Sequence, residues 1–362
     1  MPSDRLILVI TKLDAGGMER FCATLCNTLA AQGRACTVCA LHPAAPGGSR
    51  AWLTTAVQYV ELNRPARWAA PALMRLCRQF PRDPVLALGV EICVVLVALK
   101  RLGLIRNPVV YRESTAVLAH CTPFWRWMMA RFVSRADGLI VQSRQGLTDL
   151  NRVFPVRQPT CLIRNPCALL QTAKPVRLPG SRENLRLLSI GRLEAMKGHE
   201  RLIRALPDLL KRFPGARMTL AGEGSQRQWL EAVIKEQGVE GSVMLAGHVQ
   251  TPEQLYREAD LFVLPSFYEG LPNVVIEAIA CGCPVIVAAG AGGTRELMEE
   301  LGLGAFLVSD AEFAEHLPAV VERVLASGKD VWERAQQRLV QIAAPAVVAD
   351  QVWAFAGELK IG

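Results

Sequence analysis

Residues 264–280 read L-P-S-F-Y-E-G-L-P-N-V-V-I-E-A-I-A. The apolar run that closes near Pro265 has the length of a buried strand. A turn follows at Glu269 and Gly270, and a helix begins close to Pro272, because proline is favoured in a first helical turn. A strand handing over to a helix through a short loop is the unit of a parallel sheet covered on both faces. The free backbone N–H groups at such a helix start bind anions. Glu269 precedes the helix and Glu277 lies within it, eight residues on. A carboxylate beside an anion site makes sense when it accepts hydrogen bonds from hydroxyls. An anion between two polyol-binding carboxylates describes a nucleotide sugar. On this stretch alone the plainer alternative also stands: Glu269 caps the helix and Glu277 is solvated.

Outward from this stretch the same alternation recurs. Short apolar runs at 6–10, 35–41, 85–88, 108–111 and 138–141 read as strands, followed by 161–163, 186–190, 217–221, 243–246, 261–265, 284–288 and 304–308. Amphipathic stretches at 17–32, 198–212, 225–237 and 272–281 read as helices between them. The pattern predicts an α/β chain of two doubly wound, Rossmann-like domains. Pro166, Pro175, Pro179 and Gly180 break the periodicity, so 166–184 reads as a linker between domains 1–165 and 185–346. The last stretch, 347–362, is helical in character, and one option is that it packs back on the first domain.

The 362 residues suit two domains, and 51% apolar with 20% charged residues exclude a disordered, collagen-like or coiled-coil chain. Eleven cysteines are too sparse for a disulfide scaffold. Cys36 and Cys39 form a C-x-x-C inside an apolar run with no second ligand pair, which predicts core thiols and no metal. The early run 6–10 is shorter than a signal-peptide core, and 84–99, broken by Glu91, is shorter than a transmembrane helix. A cytoplasmic protein is expected. Net charge is +8, unevenly spread: residues 1–165 hold 21 Lys/Arg against 9 Asp/Glu, and the rest 20 against 24. The basic half suits an anionic partner; solvated surface charge is the alternative.

Two further loops carry chemistry. Residues 191–198, G-R-L-E-A-M-K-G, follow a strand and place Arg192 and Lys197 at a sheet's carboxyl edge, where such folds bind ligands. A planar fork and a point charge together suit a diphosphate, although two exposed loop cations would look the same. Gly16 and Gly17 follow the first strand without forming G-x-G-x-x-G, so the dinucleotide fingerprint is absent. Adjacent glycines allow close approach of a ligand.

Taken together these stretches resemble a retaining glycosyltransferase of family 4 (glycosyl transferases group 1), with the GT-B architecture of two facing Rossmann-like domains and a cleft between them. The resemblance rests on the E-x7-E pair Glu269 and Glu277, the G-R-L-x-x-x-K-G loop, A-G-E-G at 221–224 and A-D-L-F-V-L-P-S at 259–266. It is strong from 188 to 297 and weaker before 165. The resemblance implies that Arg192 and Lys197 neutralise the donor diphosphate. It implies that Glu269 binds hydroxyls of the transferred sugar, helped by the amides of Gly270, Leu271 and Asn273. Asn273 and Val274 then sit near the phosphates, Glu277 holds the ribose, and 247–251, with Val249, borders the base. Gly16 and Gly17 face the β-phosphate and the acceptor.

One departure stands out. Related enzymes often carry a first-domain histidine after the strand matching 108–111. Here the chain reads Arg112-Glu113-Ser114-Thr115, with His120 further on. Arg112, Glu113 and His120 are therefore the acceptor-side candidates. The resemblance implies front-face substitution, with the donor phosphate taking the acceptor proton. It implies no metal and no cofactor beyond a UDP- or GDP-linked sugar. At 123–136, Phe124, Trp125, Trp127, Met128 and Phe132 alternate with Arg126, Arg131 and Arg135. Such a helix suits an anionic membrane surface, or its aromatics are core. The expected enzyme moves a hexose to a lipid-linked, lipopolysaccharide or polysaccharide acceptor, peripheral on the inner face of the cytoplasmic membrane. No nucleic-acid module is visible. A sugar-nucleotide epimerase of the same architecture, or a non-catalytic nucleotide-sugar binder, are the alternatives.

Overall fold

The computed structural model describes residues 5–14, 16–44, 49–113, 121–178, 183–290 and 292–359. The chain divides into two units, Met1–Ala168 with Ile342–Gly362, and Leu169–Gln341. In the first, strands lie in the order β3-β2-β1-β4-β5-β6-β7. These are β1 Arg5–Ile10, β2 Ala35–Ala40, β3 Gln58–Glu61, β4 Val85–Leu88, β5 Val109–Arg112, β6 Gly138–Val141 and β7 Thr160–Leu162. All their pairings are parallel. Side chains of a strand alternate between faces, and β1 is apolar in both parities. Leu6, Leu8 and Ile10 enter one core, with the helices Gly17–Ala31 and Pro345–Glu358. Ile7 and Val9 enter the other, with the helices Ala66–Gln79 and Val90–Arg101.

The second unit repeats the plan in the order β10-β9-β8-β11-β12-β13. Its strands are β8 Arg186–Ile190, β9 Arg217–Ala221, β10 Val243–Gly247, β11 Leu261–Leu264, β12 Val285–Ala288 and β13 Leu307–Val308. These pairings too are parallel. In each sheet the winding direction reverses beside the unit's first strand, between β1 and β4 and between β8 and β11. There the connecting loops diverge and leave a crevice at the strands' carboxyl ends.

Three segments differ from the sequence expectation. Residues 166–184 are no free linker throughout: Lys174 N donates to Ala280 O at 3.2 Å and Arg177 N to Gly282 O at 3.0 Å, which straps this segment along the second unit. The return to the first unit begins at Ile342 rather than 347. The helix Lys329–Ala343 ends there, and its last carbonyl accepts from Cys167 N at 2.9 Å. Residues 304–308 are mostly a 3-10 turn, Gly304–Phe306, leaving β13 two residues. The edge strand β3, Q-Y-V-E, has no apolar run to announce it. Residues 84–99 are the buried β4 and most of a buried helix. The stretch Lys329–Glu358 is long and apolar enough to cross a membrane. It is broken at Ala344, and Val348, Ala349, Val352 and Ala356 are buried in the first unit's core.

Candidate active site

The strands that flank the reversal point of the second sheet supply the two loops singled out by sequence. β8 leads into 191–198 and β11 into 265–272. Neighbouring strand ends brace the first loop: Gly191 N donates to Ala221 O at 3.0 Å and Leu193 N to Glu223 O at 3.0 Å. Gly222 N in turn donates to Gly247 O at 2.7 Å. Two glycines are obligatory here. Gly198 has φ +67°, and a Cβ on it would lie 2.1 Å from Pro265 O. Gly222 has φ +149°, and a Cβ on it would lie 1.9 Å from Gly191 O. The loops are joined directly by Phe267 N, which donates to Met196 O at 3.0 Å.

This framework brings Lys197 and Glu269, 72 residues apart in sequence, into contact. Lys197 Nζ donates to Glu269 Oε1 at 2.6 Å, and Ser266 Oγ donates to the same oxygen at 2.8 Å. Both side chains of the ion pair keep some solvent access, 24% for the lysine and 12% for the glutamate. Arg192 is exposed, and among the described residues its side chain makes no hydrogen bond or salt bridge. The helix Asn273–Ala280 starts after extended Pro272 with no side-chain cap, so its first turn presents backbone amides along the axis. Gly270, Asn273 and Val274 are half-buried there and Leu271 is buried. Glu277 is 7% exposed and accepts from the Tyr256 hydroxyl at 3.0 Å, so it is not the solvated residue of the plainer alternative. Val249 is half-buried beyond the end of β10.

Three supporting residues had no visible signal in the sequence. Ser266 is fully buried beneath Glu269, and Tyr256 pairs with Glu277 from a different helix, Glu253–Glu258. His199 is 3% exposed, and its Nδ1 lies 3.5 Å from Ser189 Oγ. Burial and the charge of Lys197 push its pKa down to about 4, so the imidazole beneath this loop is neutral at pH 7. Tyr256 and Glu277, 21 residues apart, meet from two different helices, whereas Ser266 bonds Glu269 within its own loop and His199 follows directly on the loop of Lys197.

The remaining candidates lie in the first unit. Gly16 caps the helix Gly17–Ala31 with extended backbone at the end of the loop after β1, and Gly17 is exposed. Burial of Glu19 in the first turn raises its carboxyl pKa. Arg112 ends β5 and is 1% exposed. It donates to Asn165 Oδ1 and stacks over Phe21 at 3.6 Å, and burial pulls its pKa down to about 10. Glu113 is 2% exposed; its amide donates to Ile140 O and its carbonyl accepts from Gln142 Nε2, both at 2.9 Å. Both are buried in a network across the ends of β5, β6 and β7. His120, with Ser114 and Thr115, lies outside the described residues.

Residues 15–169 match the family described as Glycosyltransferase Family 4, and residues 174–340 match Glycosyl transferases group 1. Over 181 residues the chain is 30% identical to an N-acetylgalactosamine-N,N'-diacetylbacillosaminyl-diphospho-undecaprenol 4-alpha-N-acetylgalactosaminyltransferase of Campylobacter jejuni, covering 49% of each chain. Over 169 residues it is 36% identical to a glycogen synthase of Mycobacterium tuberculosis, covering 45% of this chain and 40% of that one. The chain thus spans half or less of the length of these curated relatives. The crystal structure of Anabaena Alr3699/HepE in complex with UDP and glucose matches with TM-score 0.77 at 20% identity, over 96% of this chain and 98% of that one. That likeness concerns the fold, which is the two-domain GT-B fold. With the two family matches running in succession along nearly all of its length, the chain belongs to the family 4, group 1 glycosyltransferases.

Proposed function

We propose that this chain moves a hexose from a UDP- or GDP-linked sugar, with retention at the anomeric carbon, to a lipid-linked or surface-polysaccharide acceptor. The observation that carries it is the 2.6 Å contact of Lys197 with Glu269 at the reversal point of the second sheet. It sets an anion-neutralising cation beside a hydroxyl-accepting carboxylate, next to an uncapped helix start and the exposed Arg192. A diphosphate then lies against Arg192, Lys197 and the amides of Asn273 and Val274. Glu269 accepts from hydroxyls of the transferred sugar, with the amides of Gly270 and Leu271 beside it. Glu277, held by Tyr256, takes the ribose, and the 247–251 segment borders the base.

In the chemical step the bond from the anomeric carbon to the diphosphate breaks through an oxocarbenium-like state. The acceptor oxygen bonds to that carbon on the same face, and its proton passes to the departing phosphate oxygen. Glu269 Oε1 is held by Lys197 and Ser266, and in this route its carboxylate accepts from the sugar's hydroxyls rather than forming a glycosyl-enzyme. The protein's part is chiefly to stabilise negative charge on the leaving diphosphate with groups already in place. Side chains alone supply the positive charge in this scheme, and activity is expected to survive a chelator.

A peripheral membrane site suits such an acceptor. On the helix Pro123–Arg131, Phe124 and Trp127 are each 59% exposed, and Arg126 and Arg131 are exposed beside them, while Met129 anchors the helix in the core. The C. jejuni relative's name carries a diphospho-undecaprenol acceptor, and the HepE structure holds UDP and glucose. The test is transfer from labelled UDP-glucose and GDP-mannose to lipid-linked glycans, with the product's anomeric configuration read by NMR. Transfer with retention, with or without EDTA, is the expected result. Interconversion of the donor sugar without acceptor would instead mark an epimerase.

A further inference from the structure

Arg201, in the first turns of the helix His199–Arg212, is tied down on every side. Its Nε donates to Pro265 O at 2.5 Å and its Nη2 to Ser266 O at 3.0 Å. Its Nη1 donates to Asp310 Oδ1 at 2.6 Å, beyond the end of β13. The guanidinium carbon lies over two aromatic rings, 4.2 Å from the Phe267 centroid and 4.5 Å from that of Phe313. The side chain is 12% exposed. One cation therefore spans the carboxyl ends of β8, β11 and β13. The two carbonyls it holds belong to the residues that open the loop to Glu269, and Ser266 is the residue whose hydroxyl bonds Glu269.

A lysine could not replace it. Holding adjacent carbonyls at once while meeting a carboxylate on a third nitrogen needs the planar fork. Stacking on two rings needs its flat, weakly hydrated group. A point charge would keep one of these contacts.

We infer that Arg201 is a positioning residue for sugar recognition: it fixes the 265–269 backbone so that the Glu269 carboxylate stays aimed at the transferred sugar. The inference rests on the assignment of Glu269 to the sugar made above, and it predicts a separation of two affinities. The nucleoside diphosphate meets Arg192, Lys197 and the helix start, none of which Arg201 touches. The sugar meets Glu269, whose loop Arg201 holds.

Binding of UDP and UDP-glucose, and of GDP and GDP-mannose, is measured by calorimetry for the full chain and its R201K, D310N and E269A variants. The pair that binds the unaltered chain is the one compared. In R201K the affinity for the nucleotide sugar is expected to fall about tenfold, the loss of one charge-assisted hydrogen bond, with nucleoside diphosphate affinity unchanged. D310N, which keeps the shape and removes the charge partner, is expected to shift it in the same direction by less. If E269A loses sugar affinity and R201K does not, the inference about Arg201 falls while the site assignment stands. If R201K loses both ligands equally, Arg201 supports the fold in general and the inference also falls. If neither pair binds the unaltered chain, or E269A keeps its sugar affinity, both fall.

Discussion

The carboxyl edges of the two sheets share one strand plan and use charge in opposite ways. In the second unit the charged groups stand on loops past the strand ends. Lys197 and Glu269 keep partial solvent access and Arg192 is exposed. In the first unit Arg112 is the last residue of β5 and Glu113 the next, and both are all but inaccessible. Gln142, Arg164 and Asn165, which bond to them or to one another, are buried as well. Arg164 Nη1 donates to Gln142 O at 2.6 Å, so this network also bonds the backbone. A charge on a strand's last residue is drawn into the layer between sheet and helices and must be satisfied there. A charge a few residues later is free to meet a ligand.

That contrast predicts different failures. Arg112→Ala removes a large, fully buried side chain that donates to Asn165 and stacks on Phe21, and should destabilise the chain by about 3–5 kcal/mol. Chemical denaturation measures it, and a change under about 1 kcal/mol would dissolve the distinction between the two edges. Lys197→Ala and Glu269→Ala should do the reverse. Each is expected to lower kcat by roughly 10²–10³ while leaving the denaturation midpoint nearly in place. A Lys197 variant that unfolded readily and kept its turnover would place it with Arg112.

The second edge was legible in the sequence because its chemistry is local. The G-R-L-x-x-x-K-G loop and the E-x7-E pair each sit within one strand–loop–helix unit, where spacing and position coincide. Apolar runs likewise identify strands such as β1, β8 and β11, most of whose residues are buried. What spacing does not reveal is pairing across the sheet. Tyr256, on the helix before β11, finds Glu277 on the helix after it, and Asp310 finds Arg201 through β13, two residues long. Arg112 and Glu113 read as ligand groups from sequence because a polar pair after a strand looks alike whether the next layer covers it or not. β3 stayed hidden for a related reason: an edge strand with a half-polar sequence carries no apolar run.

His199 offers a sharper probe of the second edge, since it is a titratable group buried next to a site lysine. Its pKa is depressed from 6.5 to about 4. Between those values the unfolded chain binds a proton that the folded chain refuses. The neutral imidazole's contribution is therefore whole above pH 6.5 and is lost as pH falls towards 4, about 3 kcal/mol in all. His199→Asn should flatten that part of the stability profile of the second unit. Carboxylates also titrate there, so the comparison is variant against parent at each pH. Identical slopes would show that the imidazole is not held neutral under the loop.

The smallest effect concerns the surface outside both edges, where the units differ in charge rather than burial. Residues 1–165 carry 21 Lys/Arg against 9 Asp/Glu, and the helix Pro123–Arg131 has no acidic residue. A membrane rich in anionic lipid should attract this helix through Arg126 and Arg131, with Phe124 and Trp127 at the headgroup level. Each Arg→Gln change should then weaken partitioning onto phosphatidylserine vesicles about fivefold, and added salt should weaken it further. Lys211, 76% exposed on the second unit and paired with Asp208, serves as the control. Its change to Gln should leave partitioning unaltered. If all three variants partition alike, vesicle attraction follows total charge, and the exposed aromatics of 123–131 have no special part in it.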